Sequence, residues 1–177
     1  MRRISKAEAL ALVGEDAAAI DERFAGCAMC AVIGASATSP GRRAVLAENE
    51  AAVAMLDRFA ARPGHTVVVL RRHVESVAEL PWDEYAAVQR LAWEASRALT
   101  AALSPARVYV AALGATRRIA TSFPHHHVHV IPLSDGGESD RPAQVLTWSN
   151  GVHVYEPGER AAWAERIRAA WPRGAPS

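Results

Sequence analysis

The chain has 177 residues, half of them apolar and 22% charged, which suits one ordinary domain with a real core. Lys plus Arg (20) nearly balance Asp plus Glu (19), so no overall field favours nucleic acid or a membrane, and any anionic ligand must be held by local groups. No run of 18 apolar residues exists, which argues against a membrane span.

The opening "MRRISKAEALALVGEDAAAI" is basic at its start, but Gly14, Glu15 and Asp16 interrupt its apolar part. Ser5 and Glu8 have capping-box spacing, so the segment reads as a helix start and not as a signal peptide. A cytoplasmic location is expected by default. Residues Ser5 to Phe24 are expected as two short helical pieces broken at Gly14, within a helical N-terminal extension over residues 1–26.

The only cysteines, Cys27 and Cys30, stand in "CAMC". With two cysteines and no secretory signal, a disulfide framework is out of place. The spacing suggests a redox pair or half of a zinc site, with plain free thiols as the bland alternative. A redox pair would open a helix after a strand. Here "GCAMCAVIGASATSPG" reads as an apolar stretch and then a loop, which fits metal better.

Further on, "AVLAENEAAVAMLD" suggests two strands with a tight connection near Glu48 to Glu50. "PGHTVVVL" is a clear strand, punctuated by Pro63 and Gly64. The best helix follows Pro81, with Asp83 and Glu84 at its positive end. Its Tyr85, Val88, Leu91, Ala92, Ala95, Leu99 and Leu103 recur at helical spacing until Ser104-Pro105 stops it. "ARVYVAALG" and "HHVHVIPL" read as strands, and "SDGGESDRP" as a polar loop. In the tail, Trp163, Ile167 and Trp171 lie four apart, so a helix over 159–172 docks by an aromatic stripe that reads as core. Strands without long helical crossovers imply antiparallel pairing. The expected class is therefore α+β, a mainly antiparallel sheet with one long helix, in a single domain over residues 1–177.

"FPHHHVHVIPL" (residues 123–133) carries the chemistry. Side chains alternate along a strand at ~3.3 Å per residue, which puts His125, His127 and His129 on one face. His126, Val128 and Val130 then point to the core. Three buried imidazoles without partners would be costly. They make sense if they bind a metal or a phosphate, or attack a substrate; a solvent-facing strand is the bland alternative.

"HHHVHVI" matches His-x-His-apolar-His-apolar-apolar and resembles the histidine triad superfamily of nucleotide hydrolases and transferases. The resemblance extends through "AVAMLDRFAARPGHTVVVLRRHVESVAEL" (residues 52–80) to "CAMC", which sits where many bacterial members carry a zinc-binding pair. It implies a histidine-triad-like fold with extra short terminal helices, a purine nucleotide substrate and a homodimer. His127 matches the nucleophile, and an imidazole can form a phosphohistidine that water then cleaves. His129 would bind phosphate oxygens or assist the leaving group, Ser122 falls near the phosphate, and Asp57 matches the carboxylate that takes the ribose hydroxyls. Cys27, Cys30, His73 and His125 would form a closed structural Zn2+ site that performs no chemistry. His65 is expected as a structural hydrogen-bonding partner under the active strand. His126 departs from the pattern, and His153 has no motif around it.

The family's Asn and Gly-Gln before the Ser are absent from "AALGATRRIATSFP", so Arg117 or Arg118 would have to rebuild phosphate contacts. The expected activity is cleavage at the α-phosphate of adenosine phosphoramidates or dinucleoside polyphosphates through a nucleotidyl-His127 intermediate. The alternatives are nucleotidyl transfer to phosphate or a sugar phosphate, whose enzymes usually carry Gln in place of the third His, and a zinc-stabilised nucleotide-binding module without turnover.

Overall fold

The computed structural model describes residues 1–20, 22–35, 39–114, 123–134 and 137–172. In chain order these form β1 (Arg2–Ile4), α1 (Lys6–Ala18), α2 (Ala28–Ile33), α3 (Pro40–Arg43), β2 (Val45–Glu48), β3 (Ala52–Leu56) and β4 (Thr66–Leu70). The long α4 (Trp82–Leu103), β5 (Arg107–Ala111), β6 (His127–Leu133), α5 (Pro142–Leu146), β7 (Val152–Val154) and α6 (Glu159–Ala169) follow.

Five strands form one sheet in the order β2-β3-β4-β6-β5, with every neighbouring pair antiparallel. Both faces of β3 and β4 are covered, which is why these strands read as unbroken apolar runs. On one face Ala54, Leu56, Val68, Val128 and Val130 pack against Val88, Leu91, Ala95 and Leu99 of α4, with Ile167 of α6 beside them. The helical spacing in α4 delivers that row, and burying each Leu or Val there is worth about 1.5–3 kcal/mol. The opposite face carries Val53, Met55, Val67 and Val69 and is covered by Met29, Val32 and Ile33 of α2. Val67 and Val69 stand opposite His129 and His127, so the two histidines share this second face, away from α4.

Gly64, just before β4, sits at φ +86°, a left-handed backbone that favours glycine, and a Cβ there would also crowd Leu103 Cδ1 at 2.7 Å.

Three expectations need correction. Helix α1 is continuous through Gly14, with Ser5 and Glu8 forming the full capping box. One internal glycine costs about 1 kcal/mol, and Ala9, Leu10, Leu12 and Val13 offset it by packing with Phe59 and Trp148. The N-terminal extension is also not wholly helical, because β1 pairs with β7 from the far end of the chain. Finally, the apolar stretch after "CAMC" is a helix, so the pair does open one, the placement expected of a redox pair: Cys27 caps α2, its sulfur accepting from the Cys30 N–H at 3.5 Å.

Candidate active site and metal cluster

Strand β6 begins at His127, two residues after the His125 that the alternation placed on it. His127 and His129 remain on one face, their rings edge-on at 4.7 Å. His125 lies just before the strand, and its ring turns instead to the cysteine pair. Its Nδ1 is 3.3 Å from Cys27 Sγ and 3.5 Å from Cys30 Sγ, while His73 Nδ1 is 3.4 Å from Cys30 Sγ. All four donor atoms lie within 4.8 Å of one another. A tetrahedral zinc with ordinary Zn–S and Zn–N bonds requires S···N separations of about 3.6 Å, so the residues present fit that ion. The His125 Nε2–H donates to the Leu70 carbonyl at 2.7 Å, leaving the Nδ1 lone pair toward the sulfurs, as a metal ligand needs. Burial holds the Cys30 thiol at about 11 and pushes His125 down to about 4; a cation among them would favour the thiolate and the neutral ring alike. A cleft beside Phe24 and Pro124 leads to Cys27, Cys30 and His73.

His65, His129 and His127 form a directional chain whose tautomers follow from their partners. The Ala61 N–H donates to His65 Nδ1 at 3.2 Å, so His65 carries its proton on Nε2. That N–H donates to His129 Nδ1 at 3.0 Å, which places the His129 proton on Nε2, 3.1 Å from His127 Nε2. On its other side the His127 Nδ1–H donates to the His125 carbonyl oxygen at 2.7 Å. His127 Nε2 therefore holds a lone pair and His129 offers a proton beside it. Burial keeps His65 and His129 neutral, pushing each down to about 3, with the neighbouring rings adding repulsion. His65 was thus rightly expected beneath the strand, and its role as the residue that orients His129 required three-dimensional contacts to see.

Asp57 stands at the end of β3. Its Oδ1 accepts from the Phe59 N–H at 3.0 Å, and its Oδ2 is 3.4 Å from His65 Nδ1. Burial raises its pKa, opposed first by His129 and then by the Phe59 N–H and Arg160. Asp57, His65 and His129 are close enough to suggest a second metal site. The Ala61 bond to His65 commits Nε2 to donating, however, so this trio reads as a hydrogen-bond chain.

Asp57 also joins two spaces. With His127, His129 and Phe123 it lines a small cleft, and it lines a cavity of ≈ 640 Å³ walled by apolar residues including Ile20, Met29, Phe59 and Trp148. Ser122, Arg117 and Arg118 lie outside the described residues. His126 is buried, and its Nε2 has no partner among the described residues; its backbone bonds to Val74 and Leu70. His153 bridges to Ala60 through its backbone.

An antiparallel sheet backed by one long helix, with alternating histidines on the opposite face, defines a histidine-triad fold. Over residues 41–136, more than half the chain, the sequence matches the HIT domain family, and the protein belongs to it. An uncharacterised HIT-like protein of Mycoplasma genitalium is 31% identical over 113 residues, covering 63% of this chain and 76% of that protein. A zinc-bound histidine triad family protein from Mycobacterium smegmatis superposes with a TM-score of 0.60 at 21% identity, covering 81% of this chain and 91% of that one. Plasmodium falciparum diadenosine triphosphate hydrolase superposes with a TM-score of 0.57 at 13% identity, covering 72% and 76%. At these identities the two structures attest the fold.

Proposed function

We propose that the protein is a nucleotide hydrolase that cleaves at the α-phosphate of adenosine phosphoramidates or dinucleoside polyphosphates through a covalent His127 intermediate. The observation that carries this reading is the tautomer arrangement: a bare Nε2 on His127 with the His129 Nε2–H aimed at it from 3.1 Å. When a phosphate enters, one of its oxygens takes over the His129 donor and frees the His127 lone pair to attack phosphorus. The P–N or P–O bond to the leaving group breaks, and that group departs with the electron pair and takes a proton from solvent. His127 becomes an N-phosphorylated imidazolium, whose charge the His125 carbonyl stabilises through the Nδ1–H bond. Water then attacks phosphorus and releases a proton to solvent, the N–P bond breaks, and the ring regains its lone pair.

Asp57, between the histidine cleft and the apolar cavity, suits the ribose of a nucleotide whose purine base lies in that cavity. Ser122 is assigned beside the phosphate by family position. Cys27, Cys30, His73 and His125 would hold one structural zinc, supplying a covalent clamp between α2 and the start of β6. Both cysteines are free thiols and among the described residues no helix is long and apolar enough to cross a membrane, which fits a reducing cytoplasm. Val110 of the edge strand β5 and Leu113 just beyond its end are about half exposed, with Trp93 of α4 also exposed, which supports a two-fold dimer formed through this edge.

The deciding experiment is hydrolysis of adenosine 5′-phosphoramidate by wild type and His127→Ala. Equal rates sink the nucleophile assignment. AMP binding with no turnover of any nucleotide would instead make the protein a zinc-stabilised binding module.

A further inference from the structure

The cavity next to Asp57 is lined by a half-buried cation that the chemistry above does not use. Arg160, near the start of α6, lines it together with Asp57, Tyr155 and Trp148. Its Nη2 donates to the carbonyl of Leu56, the residue before Asp57, so α6 fixes the guanidinium to the strand end that presents the carboxylate. Its Nε is buried with no partner, and among the described residues no carboxylate makes an ion pair with it. Asp57 is close enough to feel the Arg160 charge, and it already spends Oδ1 on the Phe59 N–H. An acceptor-only group and a donor-only group therefore share one low-dielectric wall without neutralising each other by contact. Unmet donors in such places call for an explanation.

We propose that Arg160 and Asp57 together read the ribose diol, and that Arg160 restricts the site to ribonucleotides over 2′-deoxyribonucleotides. The proposal rests on the nucleotide reading above. Each ribose hydroxyl is one donor and two lone pairs, so it can donate to Asp57 and accept from Arg160. A 2′-deoxyribose lacks that group and leaves a buried donor or acceptor unpaired. Sites built to hydrogen-bond a hydroxyl reject the analogue lacking it far more strongly than apolar pockets reject a missing methylene. Arg160 lies beyond residues 41–136, the stretch that matches the family, so this discrimination belongs to the C-terminal part of this chain.

The test is calorimetric titration of zinc-loaded protein with AMP and 2′-dAMP. Wild type is expected to prefer AMP by about 10²-fold or more. Arg160→Met is expected to cut that ratio below ~10 by weakening AMP alone. A general packing defect would weaken both nucleotides equally and leave the ratio intact. Should Arg160→Met fail to fold, Arg160→Gln, which retains a donor amide, is compared in the same way. An unchanged ratio in the folded variant, or no AMP preference in wild type, overturns the proposal while the nucleotide reading stands. Absence of AMP binding by wild type overturns both.

Discussion

His127 donates its Nδ1–H to the His125 carbonyl oxygen at 2.7 Å, while the ring of the same His125 lies 3.3 Å from Cys27 Sγ. One residue thus touches the cysteine cluster with its side chain and sets the tautomer of the proposed nucleophile with its backbone. Whatever fixes the His125 ring also fixes the direction of the His127 lone pair.

Metal analysis of protein purified without chelator should give about one zinc per chain, and Cys27→Ser should lose it. Because His125 connects the cluster to His127, the zinc-free variant should also be slower by tenfold or more and should melt at lower temperature. Full zinc in Cys27→Ser rules out this ligand set.

Replacing the nucleophile should separate chemistry from binding. His127→Ala is expected to lower kcat by about 10³-fold or more, with AMP affinity within a few-fold of wild type. Mass spectrometry of rapidly quenched wild type should capture an AMP adduct that the variant lacks.

His65→Phe removes the N–H that directs His129 without touching the proposed reacting atoms. A positioned proton donor typically contributes 10²–10⁴-fold, so a kcat loss of about 10- to 10²-fold is expected from its misdirection, at unchanged zinc content. Nitrogen-15 NMR should show His129 passing from one tautomer to a mixture; a single unchanged tautomer would contradict the relay.

His65 and His129 are depressed from the ordinary 6.5 to about 3 in the folded chain. Between those values the unfolded chain binds more protons, so stability is fully present above about pH 6.5 and falls as pH drops toward 3. The slope is bounded by about 1.4 kcal/mol per pH unit for each ring. Urea midpoints at pH 7, 6, 5 and 4 check this; a flat profile would mean the rings are not buried neutral.

Leu99 lies on the α4 side of the sheet, opposite the His127 face. Leu99→Ala should cost about 2–5 kcal/mol of stability while the folded fraction keeps wild-type kcat. A kcat loss comparable to that of His65→Phe would show that the two faces are coupled.

The sheet, α4 and the histidine strand were legible because their signals are periodic: apolar residues three and four apart in α4, alternating valines and histidines in β6. The cysteine pair was legible by spacing. β1 and β7 were not, since three-residue strands whose partners lie some 150 positions apart leave no local pattern. The continuity of α1 through Gly14 depended on packing against Phe59 and Trp148, which no window of sequence contains. Arg160 escaped notice for a related reason. In "GERAAWAERIRAAWP" nothing distinguishes it from Arg166 or Arg168, and only the fold carries it to Asp57.

The ≈ 640 Å³ cavity takes much of its wall from α1, α2, Trp148 and Arg160, outside residues 41–136, whereas His65, His127 and His129 lie within them. Such a division lets the reacting end be inherited unchanged while the flanks diversify, so exchanging the flanks between relatives is a route to retargeting the scaffold without rebuilding its chemistry.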